Sequence, residues 1–524
     1  MSPRAVAVRK AAFNRSAYER NLGAFIAARE EELYQHGAGL HDKLALRPIY
    51  EKHATLFGRP MVDGLRQLVD AGGAEIGHNR ALLAVATDGF IEQQVAPLSD
   101  AIGTAEATAT VVWRGESIPF RALKNRIGEI SGRAERNALY ASYLEAEDAI
   151  NPMRRERFER IGALARDLGY ADYVELIKVT RGYDPDRLGA EIRDFLAESE
   201  TPYFAALRRY LARIEIEQGD ASLADLWYLL RGSGWDNWFD GRRLLAVLAA
   251  TLRGLGIELR DQPGATLDVE ARPHKSPRAF VAVVNAPRDV RLVIQPRGGW
   301  NDYGVVMHEA GHLEHFLHVD ERLPVSQREL GDASVTEGYA TTLERLIGEP
   351  AWLNEQLGMP VEHAVAFADF WSLRFLNIQR LTAARHLHEL RMHRGGDDAV
   401  QRATYSGLAG LITGVREPEE RYLLVDDGMY AANYLRAFML DAALTDHLTE
   451  RHGETWWRSP AAGDTLKRAW SRGQEWTSEQ VVAHLGYDSL DWRPVVRQIR
   501  AKLIGEMSGY GGPNITTRAG TRKV

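Results

Sequence analysis

The chain has 524 residues, 26% of them charged and 45% apolar, with a formal net charge of −7 and no cysteine. This balance describes a folded chain able to bury a large core, and its acidic sign argues against a nucleic-acid-binding surface, because phosphate affinity needs clustered lysine and arginine. Without cysteine there are no disulfides, thiolate metal sites or cysteine nucleophiles, so any metal must be held by histidine and carboxylate.

Residues 1–20 carry Arg4, Arg9, Lys10 and Arg15 but no uninterrupted apolar run. No later window reaches the roughly 18 apolar residues of a membrane span. The expectation is a cytoplasmic chain with no signal peptide, no membrane contact and no nucleic-acid partner.

From Asn14 to about residue 260 one amphipathic helical pattern follows another, punctuated by glycine, proline and aspartate, and helices are predicted over 133–149, 152–168, 185–198 and 241–255. This half reads as all-α. The aromatic stretch 226–239, with Trp227, Tyr228, Trp235, Trp238 and Phe239, suits a core or an interface better than a substrate wall.

The texture changes at Pro273. Residues 279–284 and 290–294 are β-branched runs separated by Asn285-Ala286-Pro287-Arg288-Asp289, which predicts a hairpin ending near Gly298-Gly299. A strand pair delivered to a reactive site can hold an extended peptide by strand addition; Ala279, Phe280 and Val281 are the candidates for that edge. The alternative is a hairpin that only floors the site.

Next comes His308-Glu309-Ala310-Gly311-His312, an HExxH pentapeptide. On a helix, positions four apart share a face, so the two imidazoles can meet one Zn²⁺ at about 2.0–2.1 Å. Glu309 points elsewhere and flanks the open position, where a carboxylate takes a proton from water and passes it to a leaving amine. Val305, Val306, Met307, Leu313, Phe316 and Leu317 give the helix an apolar face, and Asn301 or Asp302 stands where an N-cap belongs. Two imidazoles and a carboxylate on a largely buried helix are costly unless something satisfies them, and a metal does.

A catalytic zinc takes three protein ligands and one open position. Glu337 is the candidate third ligand, on a helix predicted over 335–347. Ser334-Val335-Thr336-Glu337 is also a capping box, in which Glu337 would reach back to Ser334 and touch no metal. Glu344 on the same face is the reserve and Glu329 a weaker candidate. His315 stands near the ligand face, in reach of a supporting role. His386, His388 and His393 have the wrong spacing for a second site. Further helices are predicted over 361–392 and 426–451, and Tyr430 and Tyr434, four apart, can present phenols to a tetrahedral oxyanion or simply pack in the core.

With these residues assembled, the catalytic half resembles the gluzincin oligopeptidases of the thimet oligopeptidase and oligoendopeptidase F family, and more distantly the angiotensin-converting-enzyme family. His308-Glu309-Ala310-Gly311-His312-Leu313-Glu314-His315 is similar to that family's HEFGHALH, with Asp302 six residues upstream, and Tyr430-Ala431-Ala432-Asn433-Tyr434 is similar to its tyrosine-rich element. The match is specific over 278–344 and around Tyr430. The resemblance implies one Zn²⁺ per chain on His308, His312 and Glu337, Glu309 as general base, Tyr434 with Tyr430 beside it as catalytic tyrosines, and His315 and Asp302 supporting the ligands. It implies a mainly α, two-lobed body with a deep channel and a small hairpin beside the HExxH helix, acting on short peptides. Residues 1–270 would form much of one lobe, 271–505 the zinc-binding part, and 506–524 a disordered tail. Departures from the family pattern are Ala333-Ser334 before the glutamate, Val425 and Asp426 where a histidine is usual, and Leu435 and Ala437 at two tyrosine positions. With those changes, a zinc-bearing protein that binds peptides or a partner without cleaving them is the alternative.

Overall fold

The computed structural model describes residues 13–503; the tail expected over 506–524 lies outside the described residues. The chain is mainly helical, and one apolar core runs from Tyr18 in the first helix to Ile499 in the last. No helix of the described residues is long and apolar enough to cross a membrane.

The N-terminal half departs from the all-α expectation at one place. Strands β1 (Thr110–Trp113) and β2 (Glu116–Pro119) form an antiparallel hairpin. Its two-residue turn puts Arg114 at φ 50° and Gly115 at φ 84°, the left-handed pair that suits the right-handed twist of a tight hairpin. The predicted break before Pro152 is also absent: a single helix spans Arg133–Asp167 with Pro152 inside it. Proline removes one backbone donor there, and burial of Ile150, Asn151 and Arg154 on either side keeps the helix running. Likewise Pro202 lies within Pro185–Ala212, well past the predicted end.

The second half carries the expected hairpin, β4 (Phe280–Asn285) with β5 (Asp289–Val293), and a third strand, β3 (Ala265–Asp268), pairs parallel with β5. The order β3-β5-β4 leaves β4 on the edge. The Arg15–Gly37 helix covers one face of β4, where Tyr34 and Ala38 pack with Ala282, Val293 and Phe280.

Three helices then stack in sequence. The HExxH helix spans Trp300–Leu317, the Glu337 helix Ala333–Glu344, and a third Ala431–His452. Small residues set their spacing. A Cβ on Gly311 would lie 2.5 Å from the Ala340 Cα, and one on Gly338 would lie 2.7 Å from Leu440 Cδ2. Glycine at both contacts lets each helix approach its neighbour more closely than any side chain permits. The long helix Val361–Met392 matches its predicted span, and the aromatic stretch is core at Trp235 and Phe239, which pack against Phe367.

Candidate metal centre

The HExxH helix starts from Gly299 rather than from Asn301 or Asp302. Asp302 sits in the first turn, where one carboxylate oxygen accepts the amides of Arg297 and Gly298 at 2.8 and 2.9 Å. It therefore fixes the entry loop and does not reach the ligands.

His308, His312 and Glu337 come together, with one ligand atom of each within 4.8 Å of the others. Glu337 Oε2 lies 3.3 Å from His308 Nε2 and 3.9 Å from His312 Nε2. Donors at 2.0–2.1 Å from a tetrahedral ion stand about 3.3–3.4 Å apart, so the His308–Glu337 separation already suits zinc and the set as a whole, spread over up to 4.8 Å, would close inward around an ion. Glu337 Oε2 is buried without a well-formed hydrogen bond, whereas its Oε1 accepts the Tyr430 hydroxyl at 2.9 Å. The capping-box alternative is excluded, because the N-cap is Asp332, which accepts from the Ser334 amide.

Each imidazole is oriented from its far side. His308 Nδ1 meets Glu344 Oε2 at 3.0 Å, and His312 Nδ1 meets the Thr336 hydroxyl at 2.8 Å. Both partners come from the Glu337 helix, so one helix supplies a candidate ligand and the two groups that aim the other candidates. This arrangement leaves both Nε2 atoms for a metal. Glu344, the reserve ligand of the sequence reading, thus serves His308 instead. Glu329 lies elsewhere, accepting the Ala286 amide.

Burial would lower the His308 imidazole, but its bonds to Glu337 and Glu344 overcome this and push it up to about 10. His312 is pushed down to about 4 by burial and the neighbouring His308. Burial would raise Glu337, and hydrogen bonding to His308 together with the charges of both histidines holds it below its ordinary value. The site is rich in carboxylate and suits a cation.

Glu309 takes up a different position. Burial pushes its carboxyl up to about 7, close to the value at which a group both accepts and returns a proton at neutral pH. The Val281 amide donates to its Oε2 at 3.1 Å, so the outer edge of β4 runs directly past Glu309. Val281 is therefore at the site. Ala279, just before β4, is buried, and Phe280 turns away to pack on Gly37.

Tyr430 and Tyr434 meet edge to face at 5.1 Å. Tyr430 is committed to Glu337. The Tyr434 hydroxyl makes no hydrogen bond among the described residues, while the charges of Glu337, Arg278 and Glu309 all act on it. His315 is fully buried, stacked on Phe316 at 4.7 Å and edge-on to Tyr339 at 4.9 Å, so it fills the space between helices. His386 and His388 bond the carbonyls of Pro185 and Tyr422 as core histidines. Behind Tyr430 is a cavity of about 430 Å³ whose cations are paired, Arg157 with Asp427 and Arg181 with Asp88.

Glu344 and Thr336 are the residues of the candidate site whose contacts to the histidines the sequence alone does not reveal. Their signal is position: Thr336 adjoins Glu337, and Glu344 follows it by two turns on the same face. No protein-family model matches the chain, and no curated protein matches it.

Proposed function

We propose that the chain is a zinc metallopeptidase that hydrolyses peptide bonds in short peptides, the activity implied by its resemblance to the thimet oligopeptidase and oligoendopeptidase F family. The observation that carries this reading is the pairing of the His308–His312–Glu337 donor set with Glu309 on the outer edge of β4. A purely structural metal site has no use for an additional carboxyl poised near neutrality beside a free strand edge.

Zn²⁺ bound there would supply Lewis acidity toward a peptide carbonyl and toward water. The chain's own residues do the rest. His308 and His312, fixed by Glu344 and Thr336, would turn both Nε2 atoms toward the ion, His308 giving up its proton as the cation takes that place beside Glu337. An extended peptide lies along β4, using main-chain groups of the edge strand. Glu309 takes a proton from the attacking water and delivers it to the amine nitrogen as the C–N bond breaks. Tyr434, with its hydroxyl uncommitted, donates a hydrogen bond to the carbonyl oxygen as charge develops on it. The reading carries with it one zinc per chain, a two-lobed body with a channel that admits short peptides, and action in the cytoplasm.

Peptide binding without cleavage is the second reading. One observation favours it: Tyr430 is held by Glu337, which leaves a single tyrosine free at the site. A library of quenched short peptides separates the two. Cleavage that is abolished by a chelator, restored by Zn²⁺ and lost in Glu309→Gln supports hydrolysis. Chelator-independent turnover, or full turnover by Glu309→Gln, overturns it.

A further inference from the structure

The turn that carries Tyr430 to the candidate metal centre is strained. Tyr430 stands at the start of the Ala431–His452 helix, which has no side-chain cap, and Asp427–Met429 form a single short turn before it. Gly428 has φ 71° and Met429 φ 50°. Of the three non-glycine residues with positive φ among the described residues, Arg114 and Glu215 are exposed, whereas Met429 is fully buried. A bulky residue enters the left-handed region only where its surroundings hold it there, and such outliers gather at functional sites.

Helices of the N-terminal half hold this turn. Arg157, buried on the Arg133–Asp167 helix, donates from its two Nη atoms to the two carboxylate oxygens of Asp427, each at 2.7 Å. A two-pronged contact of this kind fixes orientation as well as distance. Arg157 Nε donates to the Ser99 hydroxyl at 2.8 Å, and Nη2 also reaches Glu92 at 3.1 Å, both on the Ile76–Thr108 helix, so the guanidinium is itself fixed. One residue on, the Gly428 amide donates to the Tyr173 hydroxyl at 3.2 Å. Arg157, Tyr173, Asp427, Gly428 and Tyr430 all border the cavity of about 430 Å³. On that side the turn lies against open space, so polar contacts rather than packed side chains decide where it sits. The contacts run unbroken from Arg157 to Asp427, through Gly428 and Met429, to the Tyr430 hydroxyl on Glu337 Oε1 at 2.9 Å.

We propose that Arg157 is a positioning residue for the candidate metal centre: by gripping Asp427 it fixes the turn that seats the Tyr430 hydroxyl on Glu337. The Asp427 side chain is 56% exposed. An ion pair so open to water adds little to global stability, so the consequence of losing it is local. The effect on zinc rests on the metallopeptidase reading; the placement of Tyr430 does not.

The test uses the full chain labelled with 3-fluorotyrosine, in which the Tyr430 fluorine resonance is the one lost in Tyr430→Phe, together with Zn²⁺ affinity by chelator competition. Asp427→Ala, and Arg157→Lys, which keeps the charge but not the fork, should each move that resonance and weaken Zn²⁺ binding about tenfold. Asp148→Ala removes a carboxylate of similar exposure from the helix that carries Arg157, where it pairs with Arg402 at 2.8 Å, and should do neither. In a Tyr430→Phe chain, Asp427→Ala should cost no further Zn²⁺ affinity, because the contact it supports is already gone. An unmoved Tyr430 resonance in Asp427→Ala or in Arg157→Lys overturns the proposal, as does a fully additive loss in the double variant or an equal effect from Asp148→Ala. The two readings fail separately. A wild-type chain that binds no zinc, but whose Tyr430 resonance responds to Asp427→Ala and not to Asp148→Ala, retires the metallopeptidase and keeps the positioning role; a zinc-dependent peptidase with an unmoved resonance does the reverse.

Discussion

Tyr430 donates its hydroxyl to Glu337 Oε1 at 2.9 Å, which leaves Oε2 turned toward the Nε2 atoms of His308 and His312. On the proposed metallopeptidase reading the two tyrosines have different tasks, one positioning a ligand and one facing substrate. Tyr430→Phe should weaken Zn²⁺ affinity by about 10–100-fold, measured by competition with a chromogenic chelator. Tyr434→Phe should retain zinc and lose about 10²–10³ in kcat. Equal metal affinity in both variants would contradict the division of roles.

Glu344 and Thr336 fix the imidazole rings from behind. Glu344→Gln keeps the shape but gives up the negative charge on His308 Nδ1, and Thr336→Val removes the hydroxyl on His312 Nδ1. Each should lower zinc affinity by about 10–100-fold while leaving the helix content unchanged, as read by chelator competition and circular dichroism.

Gly311, inside the HExxH motif, serves packing. Helix propensity favours alanine there by about 1 kcal/mol, but the new methyl meets the Ala340 Cα at 2.5 Å and the Tyr339 carbonyl at 2.9 Å, main-chain atoms that no rotamer change can move. Contact should win, with a net loss of about 1–3 kcal/mol in denaturant unfolding. Zinc affinity should fall with it, because Glu337 rides on the displaced helix.

Much of the site was legible in the sequence because it is local. The spacing of His308 and His312 is a property of one helical turn, and the β4–β5 hairpin is flagged by its β-branched runs. Glu337 was legible only as one of two alternatives, since a capping box and a ligand share the same residues; Asp332 occupying the cap removes the first and leaves Glu337 a candidate ligand. The task of Glu344 was hidden because it depends on how two helices pack, which the glycine contacts set. In the fold, Pro152 misled because tertiary burial outweighs one lost hydrogen bond, while β3 is four residues, too short for an alternating pattern to mark it.

Asp332 anchors the helix that carries Glu337 and the groups aiming both histidines. It accepts from Ser334, from Ser478 and from Arg436 at 2.8 Å, with its side chain only 6% exposed. Burial would raise its carboxyl, but the Arg436 guanidinium holds it below the ordinary value. A depressed carboxyl contributes stability that is complete above the unfolded value of about 3.9 and disappears as pH falls through the folded one. Asp332→Asn should cost about 3–5 kcal/mol at neutral pH. Below about pH 4 the wild-type stability should fall toward that of the variant, as urea unfolding across pH would show.

The central claim is that His308, His312 and Glu337 share one ion. Elemental analysis of the purified full chain, beside His312→Ala and Glu337→Ala, tests it most directly. The account predicts one zinc per chain in the wild type and a substoichiometric amount in each variant after identical dialysis. A wild-type chain with no stoichiometric transition metal, or variants that retain a full equivalent, would contradict it.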